Sequence, residues 1–405
     1  MSERRTLLPK YRTSLSAEEE VINDTDENKK ESKKYILYLL LFAVVGLGIW
    51  LFSFYLPNKF IPDTQELSKI TKVGDIGIEL KPLNTRTVKK IDLQNQELFL
   101  RRSSRLEKDN SDRYALESRE DAFKNSKKRF ERLILIGDVH GLFKPLMKLL
   151  KKIKYRSDND KVLLLGDFIA KGKDSLKVLD FIIKNKFDCV LGNHEYYVLQ
   201  NYARFHSIDR PQFEGDVQYE DDEANQFSNG VDESVSEIDP EFLLAKSLQP
   251  HHVSYINHCP LISHLGDVPK DTEDNPHHTQ TVPGFAVHAG LQWNLQDDLN
   301  QQRPFSCLEM RSVLKPFYNE TTDDPDTPNS VAWSKIWNEA QEGRPDPMAV
   351  FYGHDAGRGL KIKSFSKGLD SGCVKGGSLT AAVMWREYSP LGEIVSNHDI
   401  VSVSC

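Results

Sequence analysis

"KVLLLGDFIAKG", residues Lys161–Gly172, combines an uninterrupted apolar run with a carboxylate at its end. An apolar run without polar alternation is typical of a strand that is buried on both faces. Asp167 follows the run directly. A charged group at the end of a buried strand needs a compensating partner. The stretch therefore predicts a core strand that carries Asp167 into a site where positive charge, such as a metal ion, is bound.

Other stretches of the chain have the same form. Four short apolar runs, rich in Val, Ile and Leu, stop abruptly at glycine or polar residues: "RLILIGD" (132–138), "FDCVLGN" (187–193), "GFAVHAG" (284–290) and "MAVFYGHD" (348–355). Between the first runs, residues 142–155 and 174–185 place apolar side chains at helical spacing. Strands that alternate with helices predict an α/β domain with a sheet-based core. We place this domain at 131–390 and expect residues 391–405 to be a C-terminal tail.

The polar residues that follow these runs form one set of chemical types. They are Asp138, His140, Asp167, Asn193, His194, His288 and His354, and each run has a glycine beside them. A single Asp or His at a strand end is usually a cap or turn residue. Five such ends in order favour a metal centre, because carboxylates, neutral imidazoles and an amide oxygen are ligands of divalent cations.

The combination D-x-H, G-D-x-x-x-K-G, G-N-H-E, H-A-G and G-H resembles the calcineurin-like metallophosphoesterases. The likeness spans about 132–385 and is greatest to the phosphoprotein phosphatase branch and its ApaH-like relatives, whose closing segment resembles residues 368–385. The resemblance implies a β-sandwich flanked by helices and two divalent cations, zinc first, with manganese, cobalt or iron as alternatives. Two such ions ~3.5–4 Å apart can activate water and clamp a phosphoryl group for in-line attack.

The ligands of the two cations follow from the same resemblance. It implies that Asp138, His140 and Asp167 hold the first cation, and that Asp167 also bridges to the second. Asn193, His288 and His354 would complete the second site. The stretch "GHDAG" lacks the second histidine of the G-H-x-H form. We therefore expect the first cation to have three protein ligands, with water completing its coordination.

Two departures from the phosphoprotein phosphatases bear on the substrate. Those enzymes read G-D-x-V-D-R-G, whereas this chain has Ala170 and Lys171 in place of the second aspartate and the arginine. The resemblance makes His194 the catalytic acid for the leaving group. Without that aspartate we expect His194 to lack a carboxylate partner. Acid catalysis, which is worth ~10²–10⁴-fold, matters least for a phosphate leaving group. The departures therefore favour phosphoanhydride substrates.

Basic residues near the motifs suggest how a chain of phosphates could be held. Lysine suits such a substrate because its ammonium group is a point charge rather than a bidentate fork. The candidate substrate-binding residues are Lys171, Arg358, Lys361 and Lys375. Surface lysines beside glycines are also common without this role.

Residues 35–56, "YILYLLLFAVVGLGIWLFSFYL", carry no charge. At ~1.5 Å per residue a helix of this length spans about 33 Å, enough for a bilayer core. Lysines crowd its N-terminal flank, which favours a cytosolic tail at 1–34 and a lumenal stem at 57–130. The stretch "ERRTLL", Glu3–Leu8, resembles an acidic dileucine signal that cytosolic sorting adaptors read on proteins bound for vacuoles. With this anchor the chain resembles the zinc-dependent endopolyphosphatases of fungal vacuoles.

Composition sets further bounds. The chain has 405 residues, 39% of them hydrophobic, and a net charge of −7, so a protein that coats nucleic acid is not indicated. The five cysteines form no C-x-x-C pair, and their odd number leaves at least one thiol free or joined to another chain. No basic residue lies between Arg210 and Lys246. This composition predicts a solvated, mostly disordered acidic insertion at about 207–250.

Several functions are compatible with these motifs. The first is a single-pass vacuolar membrane protein with a lumenal, glycosylated catalytic domain that cleaves polyphosphate. The second is a hydrolase of dinucleoside polyphosphates or capped RNA. A serine/threonine phosphoprotein phosphatase is disfavoured by Ala170 and Lys171. A catalytically inactive polyanion-binding scaffold is disfavoured by the complete set of candidate ligands. The sequon at Asn319 lies on the predicted lumenal side, but a second sequon at Asn23 does not.

Overall fold

The computed structural model describes residues 15–55, 62–83, 128–215, 239–270, 280–389 and 391–405. The chain divides into two compact units, Met1–Pro62 and Asp63–Cys405. In the first unit, helix α1 (Leu15–Trp50) continues as a π-helical turn over Leu51–Tyr55. The segment Ser32–Ser53 has a mean hydropathy of 2.4, and it is long and apolar enough to cross a membrane. The dileucine-like stretch lies outside the described residues.

The second unit contains two large sheets. Its strands in chain order are β1 (Val73–Asp75), β2 (Ile78–Leu80), β3 (Pro82–Leu83), β4 (Lys128–Phe130), β5 (Arg132–Ile136), β6 (Asp160–Leu164), β7 (Asp188–Cys189), β8 (Ile262–Pro269), β9 (Thr281–Val287), β10 (Ser312–Leu314), β11 (Thr321–Thr322), β12 (Ser330–Ala332), β13 (Ala349–Tyr352), β14 (Lys361–Ile362), β15 (Ser366–Gly368), β16 (Asp370–Ser371), β17 (Ser378–Tyr388) and β18 (Ile394–Ser404). One sheet has the order β16-β17-β5-β6-β7, with β18 and β3 paired to β17. The other has the order β1-β8-β9-β13-β15-β14.

The two sheets pack face to face, as the alternation of buried side chains shows. On β5, Leu133 and Leu135 belong to a cluster with Ala286 and Phe351 of the other sheet. The intervening Ile134 and Ile136 belong instead to the cluster that the helices share. Both faces of β5 are therefore buried, which explains why its sequence is apolar without alternation. The predicted α/β sandwich flanked by helices is confirmed.

Helices cover the outer faces of the sandwich and connect its strands. They are α2 (Phe143–Lys152), α3 (Ser175–Lys184), α4 (Asn193–His206), α5 (Pro240–Ser247), α6 (Pro250–Asn257), α7 (Pro304–Glu309) and α8 (Trp333–Gln341). On α2 the apolar residues Leu146, Leu149 and Leu150 are buried, while its lysines face outward. Three residues, 190–192, separate the end of β7 from the start of α4, so the first residues of this helix lie at the edge of the sheet.

The sheets extend beyond the boundaries that we predicted for the domain. Residues assigned to a stem form β1 and β3, which pair with β8 and β17. Residues assigned to a C-terminal tail form β18, which pairs with β17 along eleven residues of each strand. Disulfides join Cys189 to Cys259 and Cys373 to Cys405, and Cys307 is buried and unpaired.

Part of the acidic insertion forms a helix, which its composition did not predict. Its C-terminal part forms α5, which begins with Asp239 as N-cap and Pro240 in the first turn. The Asp239 carboxylate accepts the Glu241 backbone N–H, and the helix packs along α4. The prediction of a mostly disordered insertion was wrong for this part, because local capping and contact with α4 outweigh its charge.

Candidate metal centre

The candidate ligands lie at the ends of neighbouring parallel strands. Asp138 and Asp167 follow β5 and β6, which run parallel. His288 and His354 follow β9 and β13, which are also parallel. Asn193 is the first residue of α4. Because the carboxyl ends of parallel strands meet at one edge of a sheet, these side chains converge between the two sheets.

Four ligand atoms form one group around His288. Its Nε2 lies 3.0 Å from the Asn193 Oδ1 and 3.3 Å from the Asp167 Oδ1. The His354 Nδ1 lies 3.2 Å from the same His288 atom. All four side chains are buried, and His288 is fully inaccessible to solvent.

The hydrogen bonds on the far sides of these residues fix which atoms face the group. His288 donates its Nδ1–H to the Leu165 carbonyl over 2.8 Å, and His354 donates its Nε2–H to the Glu309 carbonyl over 3.0 Å. The ring nitrogens that face the group are therefore unprotonated, and each offers a lone pair to a metal ion. Asn193 donates its amide to Glu309 over 3.3 Å, which turns its oxygen inward. Four convergent acceptors repel one another unless a cation lies among them, so this set fits a divalent metal.

A second group of ligand atoms lies on the other side of Asp167. The His140 Nε2 is 3.6 Å from the Asp167 Oδ2 and 3.8 Å from the Asp138 Oδ2. The Lys171 Nζ is 3.4 Å from the same imidazole nitrogen. One oxygen of Asp167 thus faces the His288 group and the other faces the His140 group. This arrangement would allow the carboxylate to bridge two cations, one on each oxygen.

Local backbone conformation brings the ligands this close. His140, Asp167 and His354 all have positive φ values, of 46°, 47° and 66°. Residues other than glycine rarely adopt this region, and such strain concentrates at functional sites. At Gly166, where φ is 83°, a Cβ would lie 2.5 Å from the His288 Nδ1. The glycine beside Asp167 is therefore needed for the close approach of β6 and His288.

The electrostatics of the site suit positive ions. Burial raises the pKa of Asp138 well above its usual range, and the nearby carboxylates of Asp370 and Asp167 raise it further. Burial lowers the pKa of His140 to about 4, against the attraction of Asp167. Burial alone would raise the pKa of Asp167, but His288 and the other imidazoles outweigh it and hold that pKa well below the ordinary range. Burial also lowers the pKa of His288 and that of His354, so these two imidazoles and His140 are neutral ligands.

Two glutamates hold the ligands in place, and the motif analysis assigned neither. Glu195 accepts the backbone N–H groups of Asp167 and Ile169, over 2.7 and 3.0 Å, and it is completely buried. Glu309 accepts hydrogen bonds from Asn193 and from the Tyr197 hydroxyl. Glu195 belongs to the G-N-H-E motif and could have been found there. Glu309 precedes β10 and belongs to no sequence motif that would indicate its role.

The environment of His194 corrects one expectation. We expected this histidine to lack a carboxylate partner because of Ala170, but its Nδ1 is hydrogen-bonded to Glu241 of α5. Its Nε2 lies 3.8 Å from the Asp167 Oδ2. Burial alone would lower the pKa of His194, but Asp167 and Glu241 together raise it above its usual value. The carboxylate comes from a helix 47 residues later in the chain, so no local motif revealed it.

Of the four predicted substrate-binding residues, one lies beside the candidate ligands and three do not. Lys171 lies beside His140, at the edge of the ligand groups. Arg358 is instead hydrogen-bonded to Asp355 at 2.8 Å and to the Ser312 hydroxyl at 2.8 Å. Lys361 and Lys375 are exposed, and no described hydrogen bond or ion pair connects them to the ligands.

A further group of potential ligands, Asp180, His251 and His252, lies between α3 and α6. The His252 Nδ1 accepts the Gln249 backbone N–H over 3.1 Å, so its proton is on Nε2. That proton is donated to the Asp180 Oδ1 over 2.9 Å. A nitrogen that carries a proton cannot bind a metal, and this group is explained as a cap of α6.

Comparison with known proteins gives a family and several similar proteins. The calcineurin-like phosphoesterase family matches residues 131–362. A zinc-dependent endopolyphosphatase of Saccharomyces cerevisiae is 31% identical over 258 residues, which cover 61% of this chain and 74% of the yeast protein. A symmetrical bis(5'-nucleosyl)-tetraphosphatase of Photorhabdus laumondii is 28% identical over 269 residues, covering 61% and 91%. The solved structure of a candidate diadenosine tetraphosphatase superposes with a TM-score of 0.47 at 24% identity, covering 68% and 94%.

Proposed function

Because the chain belongs to the calcineurin-like phosphoesterase family, we propose that it is a membrane-anchored hydrolase that cleaves inorganic polyphosphate at a centre of two divalent cations. It is a metal-dependent hydrolase, and its relatives act on phosphoanhydrides. The observation that carries the proposal is the orientation of the Asp167 carboxylate. Its two oxygens face two separate groups of ligands.

The residues of the centre have distinct tasks in this proposal. The group of Asp167, Asn193, His288 and His354 would hold one cation, and Asp138, His140 and Asp167 the other. When bound, such a pair neutralises phosphoryl charge and activates water for in-line attack. Lys171, whose ammonium lies 3.4 Å from His140, would bind a phosphate oxygen. His194 would protonate the leaving oxygen through Nε2, which faces the centre.

Polyphosphate is the substrate that the comparisons favour. The yeast relative is named a zinc-dependent endopolyphosphatase, and zinc is accordingly our first choice of metal. Hydrolysis of dinucleoside polyphosphates is the second candidate, favoured by the match to a bis(5'-nucleosyl)-tetraphosphatase. In both substrates the leaving group is a phosphate, so that acid catalysis contributes less than it does for a phosphoserine alkoxide.

The location of the catalytic domain is part of the proposal. Disulfides are rare in cytosolic proteins, and two lie in the unit Asp63–Cys405. They support a lumenal location for the catalytic domain, which follows the helix Ser32–Ser53 in sequence. The lysine-flanked N-terminus would then lie in the cytosol, where adaptors would read its sorting signal. We assign the protein to the vacuolar membrane. Digestion of the catalytic domain by protease added to intact organelles would contradict this orientation.

The substrate is tested with the full chain purified in detergent, freed of metal by a chelator and reloaded with zinc. We measure kcat/KM on long-chain polyphosphate, diadenosine tetraphosphate and a phosphoserine peptide. Polyphosphate is expected to exceed the peptide by about 10²-fold or more, because a phosphate is a better leaving group than an alkoxide and depends less on acid assistance. A preference for the peptide would contradict the proposal, whereas a preference for the tetraphosphate would favour the second candidate.

A further inference from the structure

The side chain of His194 has two different environments. Its Nδ1 contacts the Glu241 carboxylate, and its Nε2 points toward Asp167 in the candidate metal centre. The ring also meets His140 edge to face, with a centroid distance of 5.3 Å. The side chains of His194 and Glu241 are only 15% and 19% exposed, so water screens their interaction weakly. The histidine is therefore oriented from behind by a carboxylate and directed at the place where phosphate would bind.

Glu241 is held in this position by its own helix. Asp239 caps the first turn of α5 by accepting the Glu241 backbone N–H over 3.1 Å. The next residue, Phe242, lies edge to face with Phe205 of α4 at 6.2 Å. Lys246 of α5 lies over both rings, at 4.5 Å from Phe242 and 5.3 Å from Phe205. These contacts attach α5 to the helix that carries Asn193 and His194, so the carboxylate is not a freely rotating surface group.

We infer that Glu241 is the positioning residue of His194, and that the acidic insertion supplies it in place of the aspartate that is absent at Ala170. The inference rests on the proposed function, in which His194 gives a proton to the leaving oxygen. A carboxylate on Nδ1–H keeps the ring in the tautomer and orientation that place Nε2 in the site. Helix α5, which carries Glu241, is then the part of the insertion that supports catalysis.

The step that Glu241 supports balances in atoms and charge. The oxygen of water forms a bond to phosphorus, and the bond from phosphorus to the bridging oxygen breaks. That oxygen takes the proton from His194 Nε2. The attacking water releases a proton, which returns to the histidine. Glu241 holds the ring through Nδ1, so that Nε2 faces the leaving oxygen. It does not contact the reacting atoms.

A double-mutant cycle tests this role with the full chain. We compare Glu241→Gln, His194→Gln and the double variant with the wild type, measuring kcat, KM and bound metal on whichever phosphoanhydride the wild type cleaves fastest. Glu214→Gln is the matched control, because it makes the same charge change at an exposed residue near the start of the same acidic segment. The assay does not require polyphosphate, so the positioning role and the proposed substrate can fail separately.

The Glu241→Gln variant is expected to lose about 10-fold in kcat, less than the ~10²–10⁴-fold that a general acid can supply, because a phosphate leaving group depends less on protonation than an alkoxide does. KM should stay within threefold of the wild-type value, and the variant should bind as much metal as the wild type. In the His194→Gln background the second substitution should cost nothing further, because Glu241 acts only through that histidine. Wild-type kcat in Glu241→Gln, loss of metal in proportion to activity, or additive losses in the double variant would each overturn the inference.

Discussion

The Asp167→Asn variant is expected to lose activity by roughly 10³-fold or more, since a metal pair contributes several kcal/mol to the transition state. Asp167 is the one candidate ligand that faces both groups, with Oδ1 at 3.3 Å from His288 and Oδ2 at 3.6 Å from His140. Asparagine keeps the shape but presents an N–H₂ group to one of the two sites. It therefore cannot bridge two cations, and bound metal should fall together with kcat.

The control for this variant is Asp174→Asn, in the same loop after β6. The Asp174 side chain makes no capping hydrogen bond to α3, so its loss should leave metal and turnover unchanged. The thermal midpoint of both variants, measured with the metal removed, distinguishes loss of a ligand from loss of the fold. Near-normal turnover of Asp167→Asn with two ions bound would refute the bridging assignment.

The His288→Gln variant should affect only one of the two cation sites. His288 lies within 3.3 Å of Asn193, Asp167 and His354, but it takes no part in the contacts of His140 with Asp138 and Asp167. We expect one ion per chain to remain and activity to fall by roughly 10³-fold, because the remaining cation cannot complete the clamp. Metal analysis of the purified variant, alongside kcat, measures both effects.

An exposed histidine on the neighbouring strand serves as the control. His264 of β8 lies 3.4 Å from Asp75 at the surface and contacts none of the candidate ligands. His264→Gln should therefore retain both ions and full activity. If His288→Gln also retained both ions, the second group of ligands would have been assigned incorrectly, even if the variant were inactive.

The parts of the fold that sequence could predict are those with a local signal. Leu133 and its neighbours on β5 are apolar without alternation because both faces of the strand are buried, and this pattern is visible in the four consecutive residues 133–136. Strand pairing that joins distant segments has no such signal. For that reason the pairing of Val73 with Ile262, and that of β18 with β17, were missed.

The same distinction applies to the site. The candidate ligands stand beside glycines at strand ends, where motif order makes them recognisable, and the structure brings them into two adjoining groups. Glu241 and Glu309 act on His194 and Asn193 across 47 and 116 residues of sequence, respectively. Such contacts form only when separate helices pack together in the folded domain, so a local sequence motif cannot predict them. Cysteine spacing likewise left the disulfide of Cys189 with Cys259 undetermined.

The most direct test of the two-cation centre is a titration of the chelator-stripped full chain with zinc, in which bound metal and phosphoanhydride hydrolysis are measured in the same samples. Because the ligand atoms form two groups that share Asp167, we predict that binding saturates at two tightly held ions per chain. Hydrolysis should remain low while the first ion binds and rise with the second. Full activity with a single bound ion per chain would contradict the account.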